Sequence, residues 1–429
     1  MITMTDTLPH EWVGIHARAH PDAPAVTSAD GSISYAELDR RVNAHVQALR
    51  DDGVEPGDVV PLAATLTVET IIALVGTPLL GAVPAPYGPH RVDTDGAVIE
   101  KAYAIVPTSG SAGHPRGVVL TPRNITAAVE ASRSRLGNDS RDRWLLTLPL
   151  FHVGGLSVIW RSFTAGGSVE LHEGFDAVAV ARSLRGRSVS MASLVPTMLH
   201  RILEVDPGPY GRIKGVLLGG APASRDLVER GLAAGLPVLQ TYGMTETCSQ
   251  IVTVEPGKEW QSLGTAGRVL DGFALSIDEG EILVDGPAVS PGYLGEAPRI
   301  GPYRTGDLGR FDDEGRLIVV GRIGDVIVTG GENVHASVVE SAIEAHPAVS
   351  NAVVVAIADD EWGEMVVAVV EGEPSAATAV KEATEQRLAR HELPKRWVFV
   401  GQLPLLPSGK PDRKAALAEA VEESGLPPG

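Results

Sequence analysis

The sequence predicts an α/β protein, with a large N-terminal domain of layered α/β subdomains plus a β-rich subdomain, followed by a small α+β C-terminal domain. Three observations predict it. The chain has 429 residues, and at about 100–200 residues per domain that length calls for more than one. Up to about Gly280, short apolar runs bounded by Gly and Pro alternate with helical patterns, as they do where helices layer on a largely parallel sheet. Beyond Gly280 the runs become closely spaced and β-rich, and after Gly321 a compact strand and helix module follows.

In order along the chain, Ser34-Tyr35-Ala36-Glu37 reads as a capping box. It opens a helix with Leu38, Val42, Val46 and Leu49 on one face and a stop at Gly53. The apolar stretch Ile71 to Ala85 contains Gly76, Pro78, Gly81 and Pro84. It is too short to cross a bilayer of roughly 30 Å as a helix, and reads as a buried helix, turn and strand. Ile125 to Leu136 has helical spacing, whereas Trp144 to Leu148, Gly215 to Leu218 and Pro237 to Leu239 read as strands. Glu281 to Val284 and Leu317 to Val320 are further strands, with turns at Asp285-Gly286 and Asp312-Asp313-Glu314-Gly315. A helix over Val338 to Ala345 and strands over Val349 to Ala358 and Val366 to Val370 build the last module. The expected division is a domain over 1–321, a connection at 322–325 and a domain over 326–429, with Glu422 to Gly429 frayed.

Lys and Arg number 36 against 54 Asp and Glu, a formal charge of −18. The pI is near 5.1 and the mean hydropathy +0.08. A 44% hydrophobic content allows a buried core. The acidic surplus would repel phosphate backbones and anionic lipid, so neither nucleic acid nor membrane is an expected partner. A local cleft for a small anionic ligand stays open. The single cysteine, Cys248, excludes an intrachain disulfide, and no Cys and His cluster has zinc spacing. Met1 to His10 lacks the basic flank and apolar run of a signal peptide, so a cytoplasmic location is expected.

Two segments carry chemistry most clearly. Thr108-Ser109-Gly110-Ser111-Ala112-Gly113-His114-Pro115-Arg116-Gly117-Val118 follows the strand-like Ala104-Ile105-Val106. Small residues let the backbone approach an anion, hydroxyls add donors, and Arg116 adds fixed positive charge, which together suit a polyphosphate. The pattern is not the common P-loop, which needs Gly-Lys-Ser/Thr where Pro115-Arg116-Gly117 stands, and a surface Gly/Ser loop is the alternative. In Gln240-Thr241-Tyr242-Gly243-Met244-Thr245-Glu246-Thr247, Thr245 can donate to phosphate and Glu246 can hold Mg²⁺. Tyr242 offers a flat face to a base or an aromatic substrate. A helix cap is the alternative there. Tyr303-Arg304-Thr305-Gly306-Asp307-Leu308, Gly321-Arg322-Ile323-Gly324-Asp325, Gly330-Gly331-Glu332-Asn333 and Leu406-Pro407-Ser408-Gly409-Lys410-Pro411 follow; each alone could be a plain turn.

In this order, over nearly the whole chain, these segments resemble the acyl-adenylate-forming superfamily of acyl- and aryl-CoA ligases, adenylation domains and luciferases. Leu148 to Ser157, Leu218-Gly219-Gly220-Ala221-Pro222 and Gln240 to Val252 are most similar to the branch that joins o-succinylbenzoate to CoA. The resemblance implies ATP, Mg²⁺ and CoA as co-substrates and cofactor, and a carboxylic acid that is adenylated before its thioester forms. It implies that Thr108, Ser109, Gly110, Ser111, Gly113, Arg116 and Gly117 hold the β- and γ-phosphates, with Thr245 on the α-phosphate and Glu246 on the metal. Gly220, Ala221, Pro222 and Tyr242, with Gly243 and Met244 beside it, would border the nucleotide, Asp307 would take its ribose hydroxyls and Arg322 would assist. Lys410 would stabilise the adenylation transition state, and His152 would lie where substrate and CoA paths meet. A mobile C-terminal domain would rotate about Gly324.

The sequence departs from that pattern at Arg116, usually Lys, at Ala112, usually Thr, at Ala336, usually Pro, and in a shortened stretch over Tyr87 to Tyr103. The phosphate loop keeps its charge and loses a hydroxyl, which allows slower adenylation. A ligase for another aryl or short acid would keep every motif and change only the pocket around His152, Ser193 to Thr197 and Gly219 to Ala221; an enzyme loading a separate carrier protein is the other alternative. A dicarboxylate needs a cationic or well-hydrogen-bonded site for its second carboxylate; Arg201 and Arg225 are candidates, with surface solvation as the alternative. A homodimer is the default assembly.

Overall fold

The computed structural model describes residues 8–89, 91–94, 101–108, 115–186, 188–359, 362–406 and 410–424. The first expected helix forms over Tyr35–Asp51, and Ser34 Oγ accepts from the Glu37 N–H. Only half of the capping box is made. The Glu37 carboxylate turns to Arg40 and Arg41 instead of back to the Ser34 N–H, because two guanidinium partners bind it more strongly than one amide. The apolar stretch folds as read: helix Val68–Leu80, a left-handed Gly81 with φ +88°, then strand Val83–Tyr87.

The central sheet has nine strands among the described residues. Six run parallel, in the order Val238–Met244, Gly215–Leu218, Met191–Leu194, Arg143–Leu146, Ser168–Leu171 and Pro24–Ser28. Antiparallel strands close both margins, Gly31–Ser34 on one side and Ser249–Thr253 with Arg268–Val269 on the other. Met191–Leu194 and Gly215–Leu218 are buried at every position, as strands covered on both faces must be. Helix Val153–Ala165 lies in the core and is buried from Gly155 to Thr164. Gly155 is required there, since a Cβ would meet the Pro149 carbonyl oxygen at 2.4 Å.

The β-rich part is a four-stranded antiparallel sheet in the order Ala274–Asp278, Glu281–Asp285, Tyr303–Phe311, Leu317–Arg322. Its first hairpin turns at Glu279 and Gly280, both with positive φ. After the short turn Ile323–Asp325 the chain enters a second sheet, ordered Glu332–His335, Val326–Thr329, Gly363–Glu371, Asn351–Asp359, with Arg396–Val400 parallel to Gly363–Glu371. Helices Ala336–Glu344, Ala377–Glu385 and Arg413–Ser424 accompany this sheet. Ala336 opens the first of them, a position that Pro also suits. Among the described residues no helix is long and apolar enough to cross a membrane.

Candidate active site

The site is built on three pieces of backbone. At the first, strand Val238–Met244 runs into the turn Thr245–Thr247, where Thr247 Oγ1 accepts from the Met244 N–H at 3.0 Å. Cys248 and Ser249 then take left-handed φ values of +54° and +96°, sending the chain back as strand Ser249–Thr253. The return is so close that a Cβ on Gly243 would lie 1.9 Å from the Ser249 carbonyl oxygen. Gly243 is thus a packing requirement that leaves Thr245 and Glu246 at the apex. The Thr245 hydroxyl makes no hydrogen bond among the described residues.

The second piece pairs Asp307 opposite Arg322 across strands Tyr303–Phe311 and Leu317–Arg322. Arg322 Nε lies 3.1 Å from Asp307 Oδ1, and Tyr242 Oη donates to Asp307 Oδ2 at 2.8 Å. Burial raises the Asp307 pKa, and the Arg322 charge opposes that rise. The sequence set these three residues in separate motifs; the fold joins them around one carboxylate.

The third piece carries Lys410. Its Cε lies 3.4 Å from the place a Gly220 Cβ would occupy, and Gly220 has φ +83°. Ala221 and Pro222 continue the same loop after strand Gly215–Leu218. Lys410 makes no ion pair among the described residues; burial and the nearby Arg322 lower its pKa, while Asp307 raises it. His152 stands at the N-terminal boundary of helix Val153–Ala165 without a side-chain capping bond, and packs against Phe151 at 4.5 Å between ring centres. Burial first, then the Lys410 charge, pushes its pKa down to about 4.

Ser109, Gly110, Ser111, Ala112 and Gly113 lie outside the described residues. At the base of their loop, Thr108 Oγ1 donates to the Arg116 carbonyl at 3.4 Å. Gly117 is pinned by packing, as a Cβ there would meet Ile105 Cγ2 at 2.6 Å. The Arg116 charge has a partner the sequence did not suggest, Glu296, at 2.7 Å. Gly324 sits exposed in the turn Ile323–Asp325.

Sequence reasoning missed Tyr293, whose hydroxyl donates to Glu246 Oε1 at 2.8 Å, and the adjoining Tyr303 hydroxyl at 3.1 Å. It also missed Arg161. That guanidinium is buried, donates to Gln250 Oε1 at 2.7 Å and Ser249 Oγ at 3.2 Å, and lies 5.4 Å from the centre of the Trp144 ring. Ser157, Arg161, Cys248 and Gln250 border a packing gap with no room for a water molecule. Burial pushes the Arg161 pKa down to about 10, so it stays charged at neutral pH, and no ion pair meets it among the described residues. The signal was a lone Arg within the apolar run Leu156 to Phe163. Arg225 is instead paired with Glu229 at 2.7 Å on the surface.

Among the described residues no group of three or more His, Cys, Asp or Glu could hold a metal ion. A single carboxylate at Glu246 fits a Mg²⁺ that takes its remaining ligands from phosphate and water.

Fold and site together define a two-part enzyme of nucleotide-dependent activation. The chain belongs to the AMP-binding enzyme family, whose pattern matches residues 14–95 and 90–294, with the AMP-binding enzyme C-terminal domain matching 338–410. A 2-succinylbenzoate–CoA ligase of Bacillus licheniformis is 34% identical, over 93% of this chain and 97% of that protein. The structure of o-succinylbenzoate CoA synthetase (MenE) from Bacillus subtilis with the acyl-adenylate intermediate OSB-AMP is 30% identical, covering 94% of this chain and 97% of that one, with a TM-score of 0.84. A doubly substituted form of the same enzyme, bound to its product analogue OSB-NCoA, has 30% identity, covers 95% and 98%, and gives a TM-score of 0.69.

Proposed function

We propose that this chain joins o-succinylbenzoate to CoA with ATP and Mg²⁺, by way of an acyl-adenylate, as an AMP-forming ligase of menaquinone biosynthesis. The observation that carries the reading is the convergence of Lys410, Gly220, Asp307, Arg322 and Tyr242 from distant segments. It supports a site where a nucleotide and an acid meet a mobile cation. The full-length likeness to proteins named for o-succinylbenzoate supports the substrate.

In this reading Asp307 holds the ribose hydroxyls, and Tyr242 and Arg322 fix its orientation before the nucleotide arrives. The Thr245 hydroxyl, unpartnered among the described residues, donates to the α-phosphate, and Lys410 offsets charge that develops as the carboxylate attacks phosphorus. Glu246 would hold the Mg²⁺, which supplies charge neutralisation of the phosphates when bound. His152, neutral at pH 7, fills the meeting point of the acid and thiol paths without adding charge. Arg161 answers the second carboxylate. It lies on the helix that starts just after His152, reaches the segment just after Glu246, and is a buried cation with only neutral partners among the described residues.

The test is to supply Mg²⁺-ATP, CoA and a panel of o-succinylbenzoate, benzoates and short fatty acids, following AMP and thioester mass together. AMP and thioester from o-succinylbenzoate alone are expected. A different preferred acid would overturn the substrate, and pyrophosphate exchange with no thioester would point to a carrier protein as acceptor.

A further inference from the structure

We propose that Glu296 is an exchangeable counter-ion for Arg116, giving way to the polyphosphate of a bound nucleotide, and that Tyr293 is the positioning residue linking this cation to Glu246. The inference rests on the ATP-using reading above.

Arg116 opens the strand Arg116–Leu120 directly after the Gly/Ser-rich loop. One terminal nitrogen donates to both Glu296 oxygens, at 2.7 and 2.9 Å, while its guanidinium carbon lies 3.4 Å from the centre of the Tyr293 ring. Tyr293 pairs opposite Val118, so its side chain shares a face with Val118 and with Arg116 two residues earlier. At its far end the hydroxyl on the same ring donates to Glu246 Oε1. One side chain therefore touches both groups that the family resemblance assigns to polyphosphate and metal.

The Arg116–Glu296 pair is about half-exposed on each side, 46% and 52%. Such a pair is weak and competes poorly with a multiply charged phosphate chain. A planar guanidinium that fits a carboxylate also fits phosphate oxygens, and its contact with the ring keeps it aimed while the partner changes. This gives a reason for Arg at a position where the family usually has Lys, since an ammonium stacks and forks less well.

Calorimetric titration of the full chain with α,β-methylene-ATP, which cannot be adenylated from, and with AMP separates the possibilities. Glu296→Gln should tighten the triphosphate analogue about two- to fivefold and leave AMP unchanged, because AMP lacks the phosphates that compete for Arg116. Tyr293→Phe keeps the ring and loses the bond to Glu246, so it should weaken the analogue in Mg²⁺ and leave it unchanged in EDTA. Unchanged or weaker analogue binding by Glu296→Gln, or an equal shift for AMP, overturns the counter-ion role. A Tyr293→Phe effect that is the same with and without Mg²⁺ overturns the positioning role. If the unaltered chain binds neither nucleotide, the ATP-using reading itself fails.

Discussion

Lys410 and Arg161 are both cations drawn into the protein without an ion pair among the described residues, and each has a consequence that can be measured. The Lys410 ammonium is held below the usual lysine range by burial and by Arg322. If its charge supports adenylation, kcat/KM for ATP in pyrophosphate exchange falls as pH rises through that lowered value, since the profile reports the free enzyme. Lys410→Arg keeps a charge that does not titrate in this range, so its alkaline limb should move to higher pH. Equal alkaline limbs in the two proteins would sink the assignment. For Arg161, replacement by Met should cost roughly 10- to 100-fold in kcat/KM for o-succinylbenzoate, the worth of charged hydrogen bonds. An analogue lacking the second carboxylate should lose far less, and an equal loss for both acids would show that Arg161 only supports the fold. The sequence displayed Lys410 because a Ser-Gly-Lys turn is a local pattern. Arg161 is defined by Gln250, 89 residues further on, which no local pattern reveals.

Among the elements, the strands and helices of the large domain were legible because burial on both faces imposes continuous apolar runs. The short strand Val238–Met244 shows where that reading stops, since its last residues are half-buried and held by the return of the chain at Ser249. Helix Ala336–Glu344 shows another limit: its spacing predicts the helix but not the acid buried along it. Glu344 accepts from the Ala352 N–H at 3.1 Å, while Glu340 pairs with Arg413 at 2.8 Å. Burial, then the neighbouring Glu340 charge, raises the Glu344 pKa from 4.5 to about 8. Between those values the folded chain holds a proton that the unfolded chain has released, so this group lowers stability as pH rises through the window. Glu344→Gln keeps the acceptor and removes the titration. Thermal unfolding of the two proteins across that interval should show a shallower decline in Tm for the variant, and parallel declines would remove Glu344 as the cause.

At the scale of the molecule, the order of motifs was readable while their convergence was not. Glu246 meets Tyr293 across 47 residues and Arg116 meets Glu296 across 180, pairings that only the finished topology determines. The same holds for the approach of Lys410 to Gly220, which brings a residue of the C-terminal part beside the loop that follows strand Gly215–Leu218. If the C-terminal part rotates between adenylation and thiol attack, as the family resemblance implies, the short turn Ile323–Asp325, which joins the two sheets, is where that rotation is expected. Nothing lies within 4 Å of where a Gly324 Cβ would be, so this arrangement does not itself demand glycine. A rotation at this turn would supply the reason for Gly there, since glycine reaches a second backbone conformation at low steric cost. Gly324→Ala should leave the melting temperature and pyrophosphate exchange close to those of the unaltered chain. Gly324→Pro fixes φ and restricts Ile323, so exchange should persist with modest loss of ATP binding while thioester formation from preformed acyl-adenylate drops sharply. Unchanged steady-state kinetics in the Pro variant would exclude rotation at this turn, because a locked φ could not then be traversed in every turnover.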